Sequence, residues 1–207
     1  MGVDIYMRHG AIVTETTSAS YTGVSTKLKL PSQVNYVNGY VDWYLGIGKT
    51  NIEGGISYSS DGFKVFINGV EGAEKGQRSF PVSSLAKGQT VDLKLIYDHS
   101  TKRATLYLNG SPLSWTNNVP VKLLSGLNTY NTVKMVHGVQ DEGGSSFSQA
   151  SFSETQLRMN TSGSTYKTWT SSLSKTAPRV VSPGTSDSAD QFTVYSNAPL
   201  STKLDPK

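Results

Sequence analysis

The chain has 207 residues, a formal net charge of +4, 36% hydrophobic but only 16% charged residues, and no cysteine. Its length suits one all-β domain, and the missing cysteines exclude a disulfide framework, a thiol nucleophile and thiolate metal sites. The 19 Lys and Arg are dispersed rather than gathered into a block that would follow a phosphate backbone, which argues against nucleic acid as a partner.

Apolar residues recur with a period close to two in segment after segment, the signature of half-buried strands. From Tyr21 to Leu30 the alternation places Val24, Leu28 and Leu30 on one face and Tyr21, Ser25, Lys27 and Lys29 on the other, and Pro31 ends the run. Between Tyr40 and Ile47 the inward set is Val41, Trp43, Leu45 and Ile47, leaving Tyr40, Asp42 and Tyr44 outside. Ile52 to Ser59 sets Ile52, Ile56 and Tyr58 against Glu53, Gly55 and Ser57. Asp61-Gly62 then signals a hairpin turn into Phe63 to Asn68.

A second hairpin alternates through Val91, Leu93, Leu95 and Tyr97, turns at Asp98 to Lys102, and returns through Ala104, Leu106 and Leu108 to Asn109-Gly110. Further strands are expected at Thr132 to Val139, Phe147 to Met159 and Gln191 to Tyr195. Thr176 to Asp190 reads as a long surface connection, and Ala198 to Lys207 as an extended, loosely held tail. Many short strands with frequent turns predict a two-sheet antiparallel sandwich, a single domain over residues 1–207 with its core in about 10–196. No apolar stretch approaches the roughly 18 residues needed to span a bilayer. Met1-Gly2-Val3-Asp4 lacks the basic and apolar regions of a secretory leader, yet abundant Gly, Ser and Thr with few charges suits a secreted, extracellular protein.

The segment VDLKLIYDHSTKRATLYLNG, Val91 to Gly110, resembles a hairpin of concanavalin A-like and laminin G-like domains. The stretch from Leu30 to Asn68 is loosely similar to uncharacterised secreted β-sandwich proteins of Gram-positive bacteria. The resemblance implies a jelly-roll sandwich. It is nearly silent on activity, because that fold hosts lectins, glycan-binding modules, glycanases, polysaccharide lyases and adhesion domains. The Glu-x-Asp-x-x-Glu strand of the retaining glucanases of this fold is missing, since Glu53 stands alone among Gly54, Gly55, Ile56 and Ser57. The Gln-x-His strand of its alginate lyases is missing too, as no Gln stands two residues before His137.

The candidate ligand residues are Tyr40, Asp42, Tyr44 and Glu53, together with Tyr107, Trp115, His137 and Arg158. Aromatic faces stack on sugar rings and carboxylates accept hydrogen bonds from sugar hydroxyls, so the first four describe a glycan groove. The bland alternative is an ordinary solvent-facing sheet in which Tyr is simply a favoured strand residue. Trp43 alternates with aliphatic residues and is assigned to the core, Trp115 sits in a loop-like setting suited to ligand contact, and Trp169 is undecided. His137 is expected to share a face with Glu154, Gln156 and Arg158, the minimum equipment for β-elimination.

Asp61, Asp98, Asp141 and Glu142 lie in turns. They are candidates for a structural Ca²⁺, against the plainer reading that turn aspartates bond their own backbone. No other cofactor is expected. The sequence thus points first to a non-enzymatic carbohydrate-binding or surface-adhesion module. A lyase or glycoside hydrolase with an unfamiliar site, or a structural or toxin-associated secreted protein, are the alternatives.

Overall fold

The computed structural model describes residues 8–48, 52–69, 76–113, 121–122, 127–180 and 191–206. In chain order the strands are β1 (Arg8–Thr16), β2 (Gly23–Lys29), β3 (Val34–Asn35), β4 (Tyr40–Ile47), β5 (Ile52–Ser59), β6 (Gly62–Gly69), β7 (Gly76–Pro81), β8 (Thr90–Asp98) and β9 (Arg103–Leu108). They continue as β10 (Ser111–Pro112), β11 (Val121–Lys122), β12 (Val133–Asp141), β13 (Ser146–Arg158), β14 (Tyr166–Thr168), β15 (Ser174–Val180), β16 (Phe192–Asn197) and β17 (Leu200–Leu204). Among the described residues these form a seven-stranded sheet, β15-β1-β12-β4-β5-β6-β7, and a ten-stranded sheet whose main path is β10-β9-β8-β2-β13-β17-β16. Every pairing is antiparallel.

The sandwich core lies between the sheets and is filled by the inward set of each strand. Val41, Trp43, Leu45 and Ile47 of β4 face Val91, Leu93 and Leu95 of β8, with all of them at most 2% exposed. Each such aliphatic side chain removed from water contributes about 1.5–3 kcal/mol. Trp43 packs edge-on against Phe147 at 5.1 Å and tilted against Phe63 at 6.4 Å, so the tryptophan assigned to the core is there. Trp169 is core as well, its indole Nε1 donating to Ser174 Oγ at 2.6 Å.

Both expected hairpins form, β5 with β6 and β8 with β9. Gly62 turns β5 into β6 with φ +80°. Asn109 and Gly110, at φ +50° and +82°, make the two-residue turn from β9 into β10 in the conformation that Asn-Gly favours.

Four expectations change. Tyr21 is buried rather than outward with Lys27 and Lys29, because it precedes β2 and is held by an isolated bridge to Asn131. The tail is not loose: Leu200–Leu204 is β17, paired between β13 and β16 with Leu200 and Leu204 in the core. The supposed connection after Thr176 begins inside β15, which pairs with β1; residues 181–190 lie outside the described residues. Finally, two further strands of the seven-stranded sheet are not among those expected: β1, which pairs with β12 from Arg8 to Glu15, and β7, which pairs with β6 at the edge of that sheet.

Candidate functional site

Strands β1, β12, β4, β5 and β6 lie side by side, so their outward residues line up in rows across the seven-stranded sheet. One row runs Ala11, Gly138, Asp42, Ser57, Lys64. The next is Val13, Val136, Tyr44, Gly55, Phe66, and the third is Glu15, Lys134, Gly46, Glu53, Asn68. At the near end Tyr40 faces Gln140, and its hydroxyl donates to Gln140 Oε1 at 2.5 Å. Together these rows floor and wall a groove of about 350 Å³ lined by Tyr40, Asp42, Tyr44, Glu53, Lys64 and Asn68 among others.

In each of the three full rows a glycine lets larger neighbours lie flat. A Cβ on Gly138 would collide with Asp42 Oδ1, so the aspartate rests over the bare backbone of β12. A Cβ on Gly55 would come within 2.5 Å of the Tyr44 Cα, and above this glycine the Tyr44 ring meets Phe66 edge-on at 5.6 Å. A Cβ on Gly46 would strike Lys134 Cε. The lysine stem crosses this gap to place Nζ 2.5 Å from Glu53 Oε1.

The Lys134–Glu53 pair is enclosed, with side-chain exposures of 3% and 17%. Its ammonium also stands 5.7 Å from the Tyr44 ring centroid, and the Tyr44 hydroxyl donates to Glu53 Oε1 at 3.5 Å. Asp42 differs. Burial at the groove floor, reinforced by the charge of Glu53 and partly offset by Lys134, pushes its carboxyl up to about 8. It is therefore largely protonated at neutral pH and can donate a hydrogen bond as well as accept one. Tyr40 is held above the ordinary phenol range by burial first, then by Asp42 and Glu53. The Asp42 and Glu53 rows are separated by the Tyr44 row, about 13 Å along the strand direction.

Tyr40, Asp42, Tyr44 and Glu53 are therefore brought together as expected, and the other candidates are not. His137 projects from the opposite side of β12 into the core, beside Phe152 at 5.0 Å and Phe147 at 6.4 Å, with Nδ1 2.8 Å from Thr202 Oγ1. Desolvation lowers it to about 3, so it stays neutral. Glu154, Gln156 and Arg158 belong to β13 of the other sheet, which removes the expected shared face. Arg158 is a clamp: Nη1 donates to Thr22 Oγ1 at 3.0 Å and Nη2 to Thr161 O at 2.9 Å. Tyr107 lies on the outer face of the ten-stranded sheet, under the Lys94 ammonium at 4.3 Å. Trp115 lies outside the described residues.

The turn carboxylates hold local structure. Asp61 Oδ2 is 2.7 Å from Lys64 Nζ, Asp98 Oδ1 accepts from the Ser100 N–H and hydroxyl, and Asp141 Oδ2 accepts from the Ser145 N–H. At Glu142 this contact is made by the backbone rather than the carboxylate, its N–H donating to Asn38 Oδ1. Among the described residues no three His, Cys, Asp or Glu side chains gather as a metal would require.

Sequence reasoning missed Lys134. Its signal is a charge inside the otherwise apolar run Val133 to Val136, at the outward phase of that strand. Lys64, Phe66 and Asn68 share the outward phase of β6 and could have been placed by the same count.

No protein-family model and no curated protein matches the chain. Among solved structures it is similar to scytalido-glutamic peptidase bound to a peptide-based transition state analogue, with TM-score 0.58 and 12% identity over 98% of this chain and 99% of that one. It is similar also to SCP-B, a peptidase of the Eqolisin family in complex with the tripeptide Ala-Ile-His, with TM-score 0.50 and 11% identity over 98% and 99%. A tetrameric galectin from the ball sponge Cinachyrella sp. is matched at TM-score 0.45 and 16% identity over 70% of this chain and 98% of that one. At these identities the peptidase similarities are similarities of fold.

Proposed function

We propose that the groove on the seven-stranded sheet binds an extended carbohydrate polymer without cleaving it, and that the protein works outside the cell as a glycan-recognition or adhesion module. The observation that carries this reading is the sequence of rows. Tyr40 and Tyr44 offer ring surface, and between and beside them stand a neutral donor-acceptor carboxyl at Asp42, an ion pair at Glu53 and Lys134, the Asn68 amide and the Ser57 hydroxyl. Alternating rings and two-way hydrogen-bonding groups suit a chain of sugar rings, each with an apolar face and a hydroxyl rim. Lys134 neutralises Glu53, which supports recognition over a paired-carboxylate hydrolysis. A glycan array probed with the chain and with Tyr44→Ala tests the proposal: binding that the variant loses supports it, and silence across neutral and acidic glycans overturns it.

A second reading, hydrolysis of a peptide chain in the same groove, is favoured by one observation. Asp42 keeps its proton to about pH 8, as a general acid must, on a fold shared along the whole chain with peptidases. Incubation with a denatured protein substrate from pH 3 to 8 separates the two, since only this reading predicts fragments that disappear with Asp42→Asn.

A further inference from the structure

The outer face of the ten-stranded sheet carries a second depression of about 350 Å³, remote from the groove and made of different residues. Its floor is Ser25, a small residue in the row Tyr107, Lys94, Ser25, Gln156, Thr168 that crosses β9, β8, β2, β13 and β14. Tyr107 walls one side, with the Lys94 ammonium 4.3 Å from its ring centroid. Tyr166, 38% exposed, walls the other. Along the rim Lys27 Nζ stands between Asp92 Oδ1 at 3.9 Å and Glu154 Oε2 at 3.8 Å, closed onto neither.

Glu154 reaches that rim through a β-bulge. Opposite the single residue Thr26, β13 places two residues, Glu154 and Thr155, so Ser153 and Glu154 both point outward in succession. Glu154 takes φ +49°, a left-handed conformation that favours glycine. The buried hydroxyl pair Thr26 Oγ1–Thr155 Oγ1 at 2.8 Å, with Thr26 also donating to Ser153 O at 3.1 Å, holds the bulge in place. A carboxylate at a position where glycine would be unstrained adds nothing to the ladder. It does supply an acceptor beside Lys27, and local strain of this kind is concentrated at ligand sites.

We infer that this depression is a second saccharide site, taking one neutral sugar unit between Tyr107 and Tyr166. The inference takes only its ligand class from the carbohydrate reading above. Two ammonium groups, Lys27 and Lys94, face two carboxylates, Asp92 and Glu154, so the rim has no net charge and selects neither a polyanion nor a polycation. What it presents instead is donors and acceptors side by side, the complement of a hydroxyl-rich neutral ring. With grooves on the outer faces of both sheets, one molecule would hold two chains and gain avidity on a polymer surface.

The test is an amide-resolved NMR titration of the 207-residue chain with cellohexaose, xylohexaose and mannohexaose, with a galacturonate hexamer as the anionic comparison. Saturable shifts at Ser25, Lys94 and Glu154 with a neutral hexamer are expected. They should persist in Tyr44→Ala and weaken at least tenfold in Glu154→Gly and in Tyr107→Ala, while Glu154→Gly keeps or raises the melting temperature. Retained affinity in both Glu154→Gly and Tyr107→Ala, or shifts with the galacturonate alone, overturns the second site. Shifts confined to Asp42, Glu53 and Gly138 overturn it while leaving the groove reading intact, shifts confined to the outer face do the reverse, and no shift at either face overturns both.

Discussion

Lys134 Nζ lies 2.5 Å from Glu53 Oε1, although a whole strand, β4, runs between the two residues. The crossing is possible because the intervening position is Gly46, over which the lysine stem lies. An enclosed pair is costly to break because the abandoned charge has no water to return to. Lys134→Met is therefore expected to destabilise the fold by about 3–5 kcal/mol. Adding Glu53→Met should recover most of that loss. Urea unfolding of the two single variants and the double variant gives the coupling directly, and additive losses would show that the pair contributes nothing as a pair.

Gly138 plays the corresponding part for Asp42. Gly138→Ala forces the carboxyl off the β12 backbone and toward the groove mouth, with an expected loss of about 1–3 kcal/mol for the overpacking. Because burial is the main cause of the raised Asp42 value, the variant should also bring the carboxyl back toward 3.8. Carbon-detected NMR titration of Asp42 measures this, and an unmoved midpoint would contradict it.

Two titratable groups, one half-buried in the groove and one in the core, shape the pH dependence of stability in opposite senses. Asp42 is raised from 3.8 to about 8, so the folded state holds its proton longer than the unfolded one and stability falls as pH rises from about 4 to 8. His137 is lowered from 6.5 to about 3, so the folded state refuses a proton the unfolded state takes, and stability falls as pH drops from 6.5 toward 3. Between about pH 4 and 6.5 the two slopes oppose each other, and a stability plateau is expected there. Chemical denaturation at fixed pH values checks it. Asp42→Asn should flatten the decline from 6.5 to 8, and an unchanged decline would assign it to other groups.

The alternation of β4, β5, β6, β8 and β9 was readable because each of these strands has one apolar face against one core, and a period of two is visible residue by residue. It placed Trp43 inside and Tyr40, Asp42, Tyr44 and Glu53 outside, as found. Where a strand is covered on both faces, as β12 is, the alternation carries no direction, and His137 was turned the wrong way while Lys134 passed unnoticed. A bulge defeats the same count: Glu154 breaks the alternation of β13 through a backbone conformation that no glycine announces. Segment β17 has the Pro-flanked composition of a tail and becomes a central strand only through its partners β13 and β16. Pairings across more than a hundred residues, such as β1 with β12, leave no local trace.

The central claim is that the rows of the seven-stranded sheet recognise a carbohydrate chain. Calorimetric titration of the chain and of Tyr44→Ala with the oligosaccharide that a glycan array ranks first tests it most directly. A saturable binding event that weakens at least tenfold when the Tyr44 ring is removed, separate from the Tyr44-independent binding on the ten-stranded sheet, with the melting temperature of the variant within a few degrees of the parent, is the predicted result. Equal affinity in the folded variant, or no heat with any array-selected glycan, would contradict it.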